Sequence, residues 1–330
     1  MKYFVTGATG FIGGHLVPKL IACGHSVVCL VRNPARAEAL TKLGATLAIG
    51  DVTDRESMRA PMKGVDGVFH VAAWYAVGNL DRAKMQAANV DGTRNTLELA
   101  IELGVPKIVY TSTVGVFGNT HGQIVDETCR VEQRELSTVY ERTKWAAHYE
   151  VAVPLQQRGA PIVIVQPGGV TGPGDTSPQN NVYKYFLRRI PIMFGATAGL
   201  TWAHVDDMAE GHILAMEKGR AGEAYITAGP TLTYKATMQA FEKITGIPAP
   251  KIWAPDWMTI GTGKFVGLLE RVFNAKLSIS SEALSTLANY TWYVTAAKAQ
   301  RELGWQARPI EQTFKEVLDY EQAKMKKASQ

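Results

Sequence analysis

Tyr140 and Lys144 form the residue pair with the clearest capacity for proton chemistry in this chain. A separation of four residues places both side chains on one helix face, and the local pattern predicts a long helix beginning near Tyr140. An ammonium group beside a phenol favours the phenolate, and lowering the phenol pKa from about 10 to about 7 requires roughly 4 kcal/mol. Tyr140 is therefore a candidate general acid and base, and Lys144 is the group expected to lower its pKa.

The same spacing occurs a second time, at Tyr320 and Lys324, so the surrounding sequence must decide between the two pairs. The first pair follows an apolar strand predicted at 107–111, whose end carries the hydroxyl side chains of Ser112 and Thr113. The second pair lies in the last predicted helix, near the basic tail, without a comparable neighbour. The first pair is therefore favoured.

A glycine-rich loop directly follows the first predicted strand, at 3–6. Glycines at this spacing allow a tight turn, backbone approach to a pyrophosphate and close packing of helix on strand. A tight strand-to-helix turn without a ligand would use the same spacing, but the position after the first strand favours a dinucleotide site. The candidate cofactor contacts in this loop are Gly7, Thr9, Gly10, Phe11, Ile12 and Gly13.

The end of the second predicted strand, Ser26–Val31, selects between the two nicotinamide cofactors. An acidic residue there binds the free ribose of NAD, whereas an arginine pairs with the 2′-phosphate of NADP. The chain has Arg32 at this place, so we expect NADP(H) to be preferred and NAD(H) to be the alternative. The competing explanation for Arg32 is an exposed arginine that begins a helix without binding a cofactor. Further cofactor contacts are predicted after the third and fourth strands, at Asp51, Val52, Val71, Ala72 and Ala73.

Short apolar runs rich in β-branched residues alternate with helical patterns through the first half of the chain. The predicted strands lie at 3–6, 26–31, 46–49, 67–71, 107–111 and 161–165. This alternation predicts an α/β fold, with a doubly wound parallel-sheet Rossmann domain over 1–171. A smaller, mostly helical substrate domain is expected over 172–330. Because Val205–Lys218 has a helical pattern and Ala224–Thr227 a strand pattern, parts of 200–228 are expected to return to the first sheet.

Composition and charge exclude several classes of protein. Of 330 residues, 46% are hydrophobic and 20% are charged, which is typical of a soluble globular protein. The net charge of +5 is spread along the chain without the basic stripe that nucleic acid binding requires. No apolar run is long enough for a membrane helix, no leader pattern precedes the first strand, and the three cysteines lack metal-ligand spacing. We expect a cytoplasmic protein with no metal, membrane or nucleic acid partner.

Eight short motifs occur in an order that is typical of one enzyme family. They are TGATGFIG, GDVTD, VFHVAA, NVDGT, YTSTVGVFG, YERTK, QPGGVTGPGD and HVDD. The chain resembles the extended short-chain dehydrogenases/reductases, in the branch that contains sugar epimerases, dihydroflavonol reductases and hydroxysteroid dehydrogenases. The resemblance implies that Tyr140 is the catalytic acid and base, that Lys144 lowers its pKa and binds ribose, and that Thr113 orients the substrate carbonyl.

Further roles are implied by this resemblance alone. Matching VFG to the family's VYG selects Thr113 over Ser112 as the catalytic hydroxyl, although most relatives have serine there. Asn89 matches an asparagine that positions the active-site helix and a proton-relay water; a helix residue that satisfies backbone groups is an equal alternative. A homodimer is implied through the helices at 89–103 and 140–153. The segment beside the nicotinamide is expected to supply Pro167, Gly169 and Val170.

Several residues near the predicted strand ends are candidates for substrate contact, although core packing is the alternative for each. Besides Thr113, they are Trp74, Tyr75, Tyr183 and His204. The wall that they form would be aromatic and nearly uncharged. We therefore expect a small apolar or aromatic substrate.

Three functions compete on these observations. The favoured one is an NADPH-dependent reductase of an aldehyde or ketone group, similar to dihydroflavonol reductase. The second is an NAD-retaining nucleotide-sugar epimerase or dehydratase, which Arg32 and the segment 166–169 disfavour. The third is a binding protein without turnover, which would normally have lost Tyr140 or Lys144.

Overall fold

The fold is described from a computed structural model, which covers residues 1–76, 81–273 and 280–328, without the side chains of Arg271 and Phe273. The strands are β1 (Lys2–Thr6), β2 (Ser26–Val31), β3 (Thr46–Ile49), β4 (Gly67–His70), β5 (Ile108–Thr111), β6 (Ile162–Pro167), β7 (Gly169–Thr171), β8 (Ile192–Met193), β9 (Gly199–His204), β10 (Ala224–Thr227), β11 (Thr231–Thr233), β12 (Ile252–Trp253) and β13 (Thr291–Trp292). The helices are α1 (Phe11–Ala22), α2 (Glu38–Lys42), α3 (Arg55–Met62), α4 (Arg82–Gln86), α5 (Gly92–Glu102), α6 (Val139–Ala146), α7 (Val153–Gln157), α8 (Asn181–Leu187), α9 (Val205–Lys218), α10 (Tyr234–Thr245), α11 (Asp256–Phe273), α12 (Ser281–Ser285), α13 (Ala297–Leu303) and α14 (Ile310–Ala328).

Seven parallel strands form the main sheet, in the order β10-β6-β5-β4-β1-β2-β3. The central strands are buried on both faces, because helices cover the sheet on each side. One face packs against side chains such as Leu16 of α1 and Met208 of α9, and the other against Met58 of α3 and Leu97 of α5. The strand order reverses between β1 and β4, and ligands of such sheets bind at the carboxyl ends near this reversal.

The six predicted strands of the first half are all present, each within two residues of its predicted bounds. Helix α9 and strand β10 begin and end at the predicted residues, and β10 pairs with β6. The expected return of this segment to the first sheet is therefore confirmed. The α/β doubly wound fold is confirmed with it.

A second region begins where the chain leaves the main sheet after β6. Strand β7 pairs with β9, which also pairs with β11 and β13, and helices α8, α10 and α14 pack beside this small sheet. The small sheet is built around β9, a fully buried six-residue strand that the sequence did not predict. Its sequence mixes apolar residues with Thr201 and His204, so neither alternation nor an apolar run marked it.

Two short π-helical segments interrupt the helices that cover one face of the main sheet. Ala87–Asp91 joins α4 to α5, and Ala147–Ala152 joins α6 to α7. They contain the buried side chains of Asn89 and His148. Such segments occur often at functional sites. No helix in the described ranges has the length and apolar character that crossing a membrane requires.

Candidate active site

The loop between β1 and α1 is shaped by backbone crowding at its glycines. Gly7 has φ +74°, and a Cβ there would lie 2.6 Å from the Ala72 nitrogen. A Cβ on Gly13 would lie 2.2 Å from the Gly7 carbonyl oxygen, so neither position accepts a side chain without movement of the backbone. Thr9 and Gly10 are exposed at the tip of this loop.

The N-terminus of α1 has the properties of a phosphate site. Its N-cap is Gly10, which provides no side-chain cap, and the first turn, which begins with Phe11 and Ile12, contains no acidic residue. Uncapped backbone N–H groups and the positive end of the helix dipole favour an anion at this place. The loop therefore fits the pyrophosphate of a dinucleotide, with Gly7, Gly10 and Gly13 providing the close approach.

Arg32 lies directly after β2, with its side chain 78% exposed and Nε 3.8 Å from an Asp51 carboxylate oxygen. Asp51 itself accepts hydrogen bonds from the Thr53 backbone and hydroxyl, at 2.9 and 2.8 Å. A long, exposed ion pair stabilises the fold little, so the guanidinium is free to meet a phosphate. The residues present therefore fit a cofactor that carries a 2′-phosphate.

The other predicted cofactor contacts lie around the same edge of the sheet. Val52 is buried against Gly92, where it belongs to the core below α5. The backbone nitrogens of Val71 and Ala72 donate to the Thr6 carbonyl and hydroxyl oxygens, and Ala73 beside them is exposed. The remaining three, at the end of β6 and in β7, are Pro167, Gly169 and Val170.

Tyr140 lies in the first turn of α6, close enough to the Thr113 hydroxyl for that group to act toward a lower pKa of the phenol. Thr113 Oγ1 also accepts a hydrogen bond from the Gly115 nitrogen, at 3.1 Å. Ser112, the alternative hydroxyl, is buried and lies 2.8 Å from Nδ1 of His148. Of the two hydroxyls, Thr113 is thus the one that faces Tyr140.

Lys144 is almost completely buried, and its Nζ points at the carboxyl end of β5. It donates hydrogen bonds to the Thr111 carbonyl oxygen at 2.8 Å and to the Tyr110 hydroxyl at 3.3 Å. The ammonium also lies 4.9 Å from the centre of the Tyr110 ring. Burial lowers the pKa of Lys144 to about 7. The side chain is therefore held in one place with a weakened positive charge.

The predicted fall of the Tyr140 pKa toward about 7 is wrong. Burial raises the pKa of Tyr140 to about 12; the Thr113 hydroxyl opposes this shift, and the Glu141 carboxylate adds to it. The physical reason lies partly in Lys144, because the same burial lowers the pKa of that amine and so weakens its electrostatic effect. Tyr140 consequently holds its proton at neutral pH.

Asn89 connects the segment after β4 with the helix of Tyr140. Its Oδ1 accepts from the Trp74 nitrogen at 2.7 Å, and its Nδ2 donates to the Trp74 carbonyl at 3.1 Å and to Thr143 Oγ1 at 3.0 Å. Thr143 Oγ1 in turn donates to the Tyr140 carbonyl at 2.9 Å. Asn89 is thus placed to fix both the Trp74 backbone and the first turn of α6.

Tyr75 is the predicted substrate residue that lies beside Tyr140. Their rings meet edge to face, with centroids 4.7 Å apart. Burial raises the pKa of Tyr75 well above its usual value, with further contributions from Tyr140, Tyr234 and Asp175. Of these groups, Tyr140 is in direct ring contact with Tyr75. The neighbourhood of the Tyr140 hydroxyl is aromatic.

Two predicted substrate contacts lie elsewhere. Tyr183 is fully buried in the core of the second region, where its ring stacks on Phe241 with centroids 4.8 Å apart. His204 is buried as the N-cap of α9, where Nδ1 accepts from the Asp206 nitrogen at 3.1 Å and Nε2 lies 3.1 Å from a Glu316 oxygen. Both predictions are corrected, since packing and helix capping already account for these side chains.

A model of the NAD dependent epimerase/dehydratase family matches residues 3–228. The chain belongs to this family. A Synechocystis sp. protein named dihydroflavonol 4-reductase is 34% identical over 328 residues, covering 96% of this chain and 94% of its own. Sterol demethylase protein B of Methylococcus capsulatus is 32% identical over 276 residues, covering 83% of each chain. The crystal structure of gox2253 has a TM-score of 0.84 and 31% identity, and it covers 97% of this chain and 98% of its own.

This epimerase/dehydratase family member is an NAD(P)-dependent enzyme of the oxidoreductase type. The matched residues run from β1 through β10 and include the glycine loop, Thr113, Tyr140 and Lys144. The match ends before most of the second region. The matched part thus contains the candidate cofactor loop and the candidate proton-transfer residues.

Sequence reasoning missed Glu141, which is buried directly beside Tyr140. Its carboxylate accepts hydrogen bonds from the Thr138 nitrogen at 2.9 Å, the Tyr290 hydroxyl at 2.9 Å and Trp292 Nε1 at 3.0 Å. The spacing of Thr138 and Glu141 is a capping box, which could have been found in the sequence. The contacts with Tyr290 and Trp292 join positions about 150 residues apart, and no local pattern indicates them.

Proposed function

We propose that this protein is an NADPH-dependent reductase of an aldehyde or ketone group on a small apolar or aromatic substrate. The observation that carries the proposal is the Tyr140 ring in edge-to-face contact with Tyr75, 4.7 Å between centroids, with the Thr113 hydroxyl nearby. Two hydroxyl groups at one point can bind one carbonyl oxygen, and the aromatic ring next to them offers an apolar surface. Reduction of a carbonyl requires a proton donor at its oxygen, and the apolar contact favours an apolar or aromatic substrate.

In this mechanism Tyr140 donates its proton to the carbonyl oxygen as charge develops there. Burial supports this role, because the raised pKa keeps the proton on the phenol at neutral pH until the oxygen becomes basic. Thr113 donates a second hydrogen bond to the same oxygen, while the Gly115 nitrogen holds its Oγ1 in place. When bound, the cofactor supplies the hydride.

Lys144 and Asn89 hold this arrangement in position. Lys144 is anchored on the Thr111 carbonyl, one turn of α6 beyond Tyr140, where its ammonium can also meet a ribose hydroxyl. Asn89 acts through Thr143, whose hydroxyl binds the Tyr140 carbonyl. Both contacts restrict the first turn of α6 and therefore the place of the Tyr140 hydroxyl.

The preference for NADPH is proposed from Arg32. Its guanidinium is exposed at the end of β2, and its pair with Asp51 is long enough for a phosphate to replace it. A charge-assisted hydrogen bond contributes about 1.5 to 3 kcal/mol, which corresponds to at least about tenfold in affinity. The glycine loop would hold the pyrophosphate, while Ala72 and Ala73 would lie against the ribose.

The same proposal includes a homodimer through the outer helices of the first region. The helical segments 87–102 and 139–157 lie side by side, and their partly exposed side chains include Ile101 of α5, Trp145 of α6 and Val153 of α7. Burial of such a face in a two-fold interface would stabilise a dimer. Light scattering of the purified chain measures the mass directly, and a monomer at micromolar concentration would contradict this part.

One assay tests the reaction. The purified protein is incubated with NADPH and a panel of aromatic and aliphatic aldehydes and ketones, and loss of the nicotinamide absorbance is followed. We expect net consumption with at least one hydrophobic carbonyl compound, and none with the Tyr140→Phe variant. Retained NAD without net consumption, together with micromolar binding of a nucleotide diphosphate sugar, would contradict the reductase and support an epimerase.

A further inference from the structure

Helix α11 presents its apolar side chains to solvent. Trp257 is 73% exposed, Phe265 60%, Leu268 56% and Val272 61%. These residues recur at the spacing of one helix face and extend over roughly 22 Å of the helix axis. Met258 and Ile260, both nearly half exposed, lie on the same side of the helix.

The opposite face of α11 is the one that packs against the protein. Thr259 is fully buried, and Gly263 and Gly267 face α12, where a Cβ would lie 3.3 to 3.4 Å from its side chains. The acidic residues of α11 also lie on this side: Asp256 accepts from the Thr197 hydroxyl and Glu270 from Ser281. The helix is therefore anchored by small and polar residues, and its apolar face stays outside.

The apolar surface continues onto the short ribbon of β8 and β12. Ile192 pairs with Ile252, each more than half exposed, and Ala254, which follows β12 directly, donates its N–H to the Met193 carbonyl at 2.8 Å. Nine of the fourteen large exposed apolar side chains in the described ranges belong to this part of the chain. We call them the α11 surface: Ile190, Ile192, Ile252, Trp257, Met258, Ile260, Phe265, Leu268 and Val272.

The exposed charged residues next to the α11 surface in the chain are basic, whereas Asp256 and Glu270 are bound on the packed side of α11. Arg188 and Arg189 precede Ile190, Lys251 precedes Ile252, and Lys264 lies on the apolar side of α11. All four are exposed, and none forms an ion pair with another described residue. The α11 surface is thus apolar and aromatic with a positive rim.

We propose that the α11 surface docks onto an anionic lipid membrane, with α11 lying in the plane of the headgroups. A helix with Trp and Phe on an exposed apolar face and basic residues beside it has the properties of an interfacial helix. Basic residues near an anionic surface add electrostatic attraction to the apolar contact. The proposal goes beyond the reductase function and does not depend on it.

A second copy of the chain fits the α11 surface less well. In a two-fold dimer the same surface meets itself, so the rims that contain Arg188, Arg189, Lys251 and Lys264 would oppose each other. Like charges placed together weaken association. An anionic lipid surface instead offers charge of the opposite sign together with an apolar layer for Trp257 and Phe265.

Vesicle co-sedimentation of the full chain tests this proposal. The vesicles consist of phosphatidylcholine alone or of phosphatidylcholine mixed with phosphatidylglycerol. We expect several-fold more binding to the mixed vesicles at low salt, and a loss of this difference as salt is added. The double variant Trp257→Glu, Phe265→Glu should bind at least about tenfold more weakly, because it places two charges in the apolar layer. Lys264→Glu should weaken binding to the mixed vesicles alone.

The matched control is Ile124→Glu, which changes a side chain that is 65% exposed but lies outside the α11 surface. It should bind vesicles as the unchanged chain does. Circular dichroism checks the fold of each variant, and if the double variant is unfolded, Phe265→Gln alone replaces it. No binding, equal binding to both vesicles, binding unaffected by the substitutions at Trp257 and Phe265, or a wild-type oligomer that these substitutions dissociate would each overturn the proposal.

Discussion

The two regions of the molecule differ in the kinds of side chain that they bury. Behind the main sheet, Asn89, Glu141 and Lys144 are buried polar residues, and each is hydrogen-bonded to the backbone or to another side chain. The core of the second region is aromatic, with Tyr183, Trp202, Phe241 and Phe314 in mutual contact. The first region thus adds directional bonds to its apolar core, and the core of the second region is mainly aromatic.

Because of this difference, the two regions should tolerate different kinds of substitution. A buried polar group that loses its partner costs about 1 to 3 kcal/mol and disturbs the direction of its neighbours. An aromatic core tolerates exchanges of similar volume. Substitutions of these buried polar residues should therefore change both chemistry and stability, whereas those in the core of the second region should leave the chemistry nearly unchanged.

The largest effect is expected for Tyr140→Phe, in the polar region. The ring and its contact with Tyr75 remain, and only the transferable proton is lost. Turnover should fall at least about a hundredfold while cofactor affinity stays within a few-fold. Steady-state NADPH consumption measures the first quantity, and nicotinamide fluorescence measures the second.

Tyr320→Phe is the control for that experiment, because Tyr320 has the same spacing to a lysine but lies partly exposed in α14. Its activity should equal that of the unchanged protein. Comparable damage from both substitutions would mean that the wrong tyrosine had been chosen.

The next effect concerns Arg32, which belongs to the first region but lies at its exposed edge. Arg32→Ala should weaken NADPH binding by about tenfold and leave NADH binding unchanged, because it removes one charge-assisted contact and no packing. Fluorescence titration with both cofactors measures the ratio. Equal affinities in the unchanged protein would remove the argument for NADPH.

A smaller effect, in stability, is expected from the buried histidines of the first region. Burial lowers the pKa of His148 to about 3, whereas an unfolded histidine titrates near about 6.5. Between these values the unfolded chain binds a proton that the folded chain rejects, so stability falls as pH falls, by about 1.4 kcal/mol per pH unit. His148→Asn should remove the contribution of His148 to the pH dependence of the free energy of unfolding. Urea titrations between about pH 6 and about pH 4 measure this dependence. An unchanged slope would show that His148 is protonated in the fold.

The same contrast explains how far the sequence could predict this molecule. The glycine loop, Arg32 and the Tyr140–Lys144 pair depend on residues close in the chain, so their spacing indicated both their place and their grouping. Glu141 receives hydrogen bonds from Tyr290 and Trp292, and a contact across about 150 residues leaves no periodic signal.

The pKa of Tyr140 shows a second limit. The sequence indicated that a lysine lies one turn away, but it did not indicate how deeply both groups are buried. Burial then changed the sign of the expected shift. The prediction of aromatic substrate contacts had the same limit, because aromatic residues occur in cores as well as in pockets. Only the structure shows that Tyr75 contacts Tyr140 while Tyr183 stacks on Phe241 in the core.

The smallest effect on chemistry is expected for Tyr183→Phe, in the aromatic core. Thr171 Oγ1 donates a hydrogen bond to the Tyr183 hydroxyl at 3.0 Å. Removal of the Tyr183 hydroxyl leaves the buried Thr171 hydroxyl without this partner, which should cost about 1 to 2 kcal/mol of stability. The ring keeps its stacking on Phe241, and kcat/KM should stay within about twofold. Tyr75→Ala is the comparison, because that ring lies beside Tyr140 and its loss should raise KM. A large fall in kcat/KM from Tyr183→Phe, at unchanged stability, would mean that the aromatic core extends into the substrate site and that the two regions divide their roles differently.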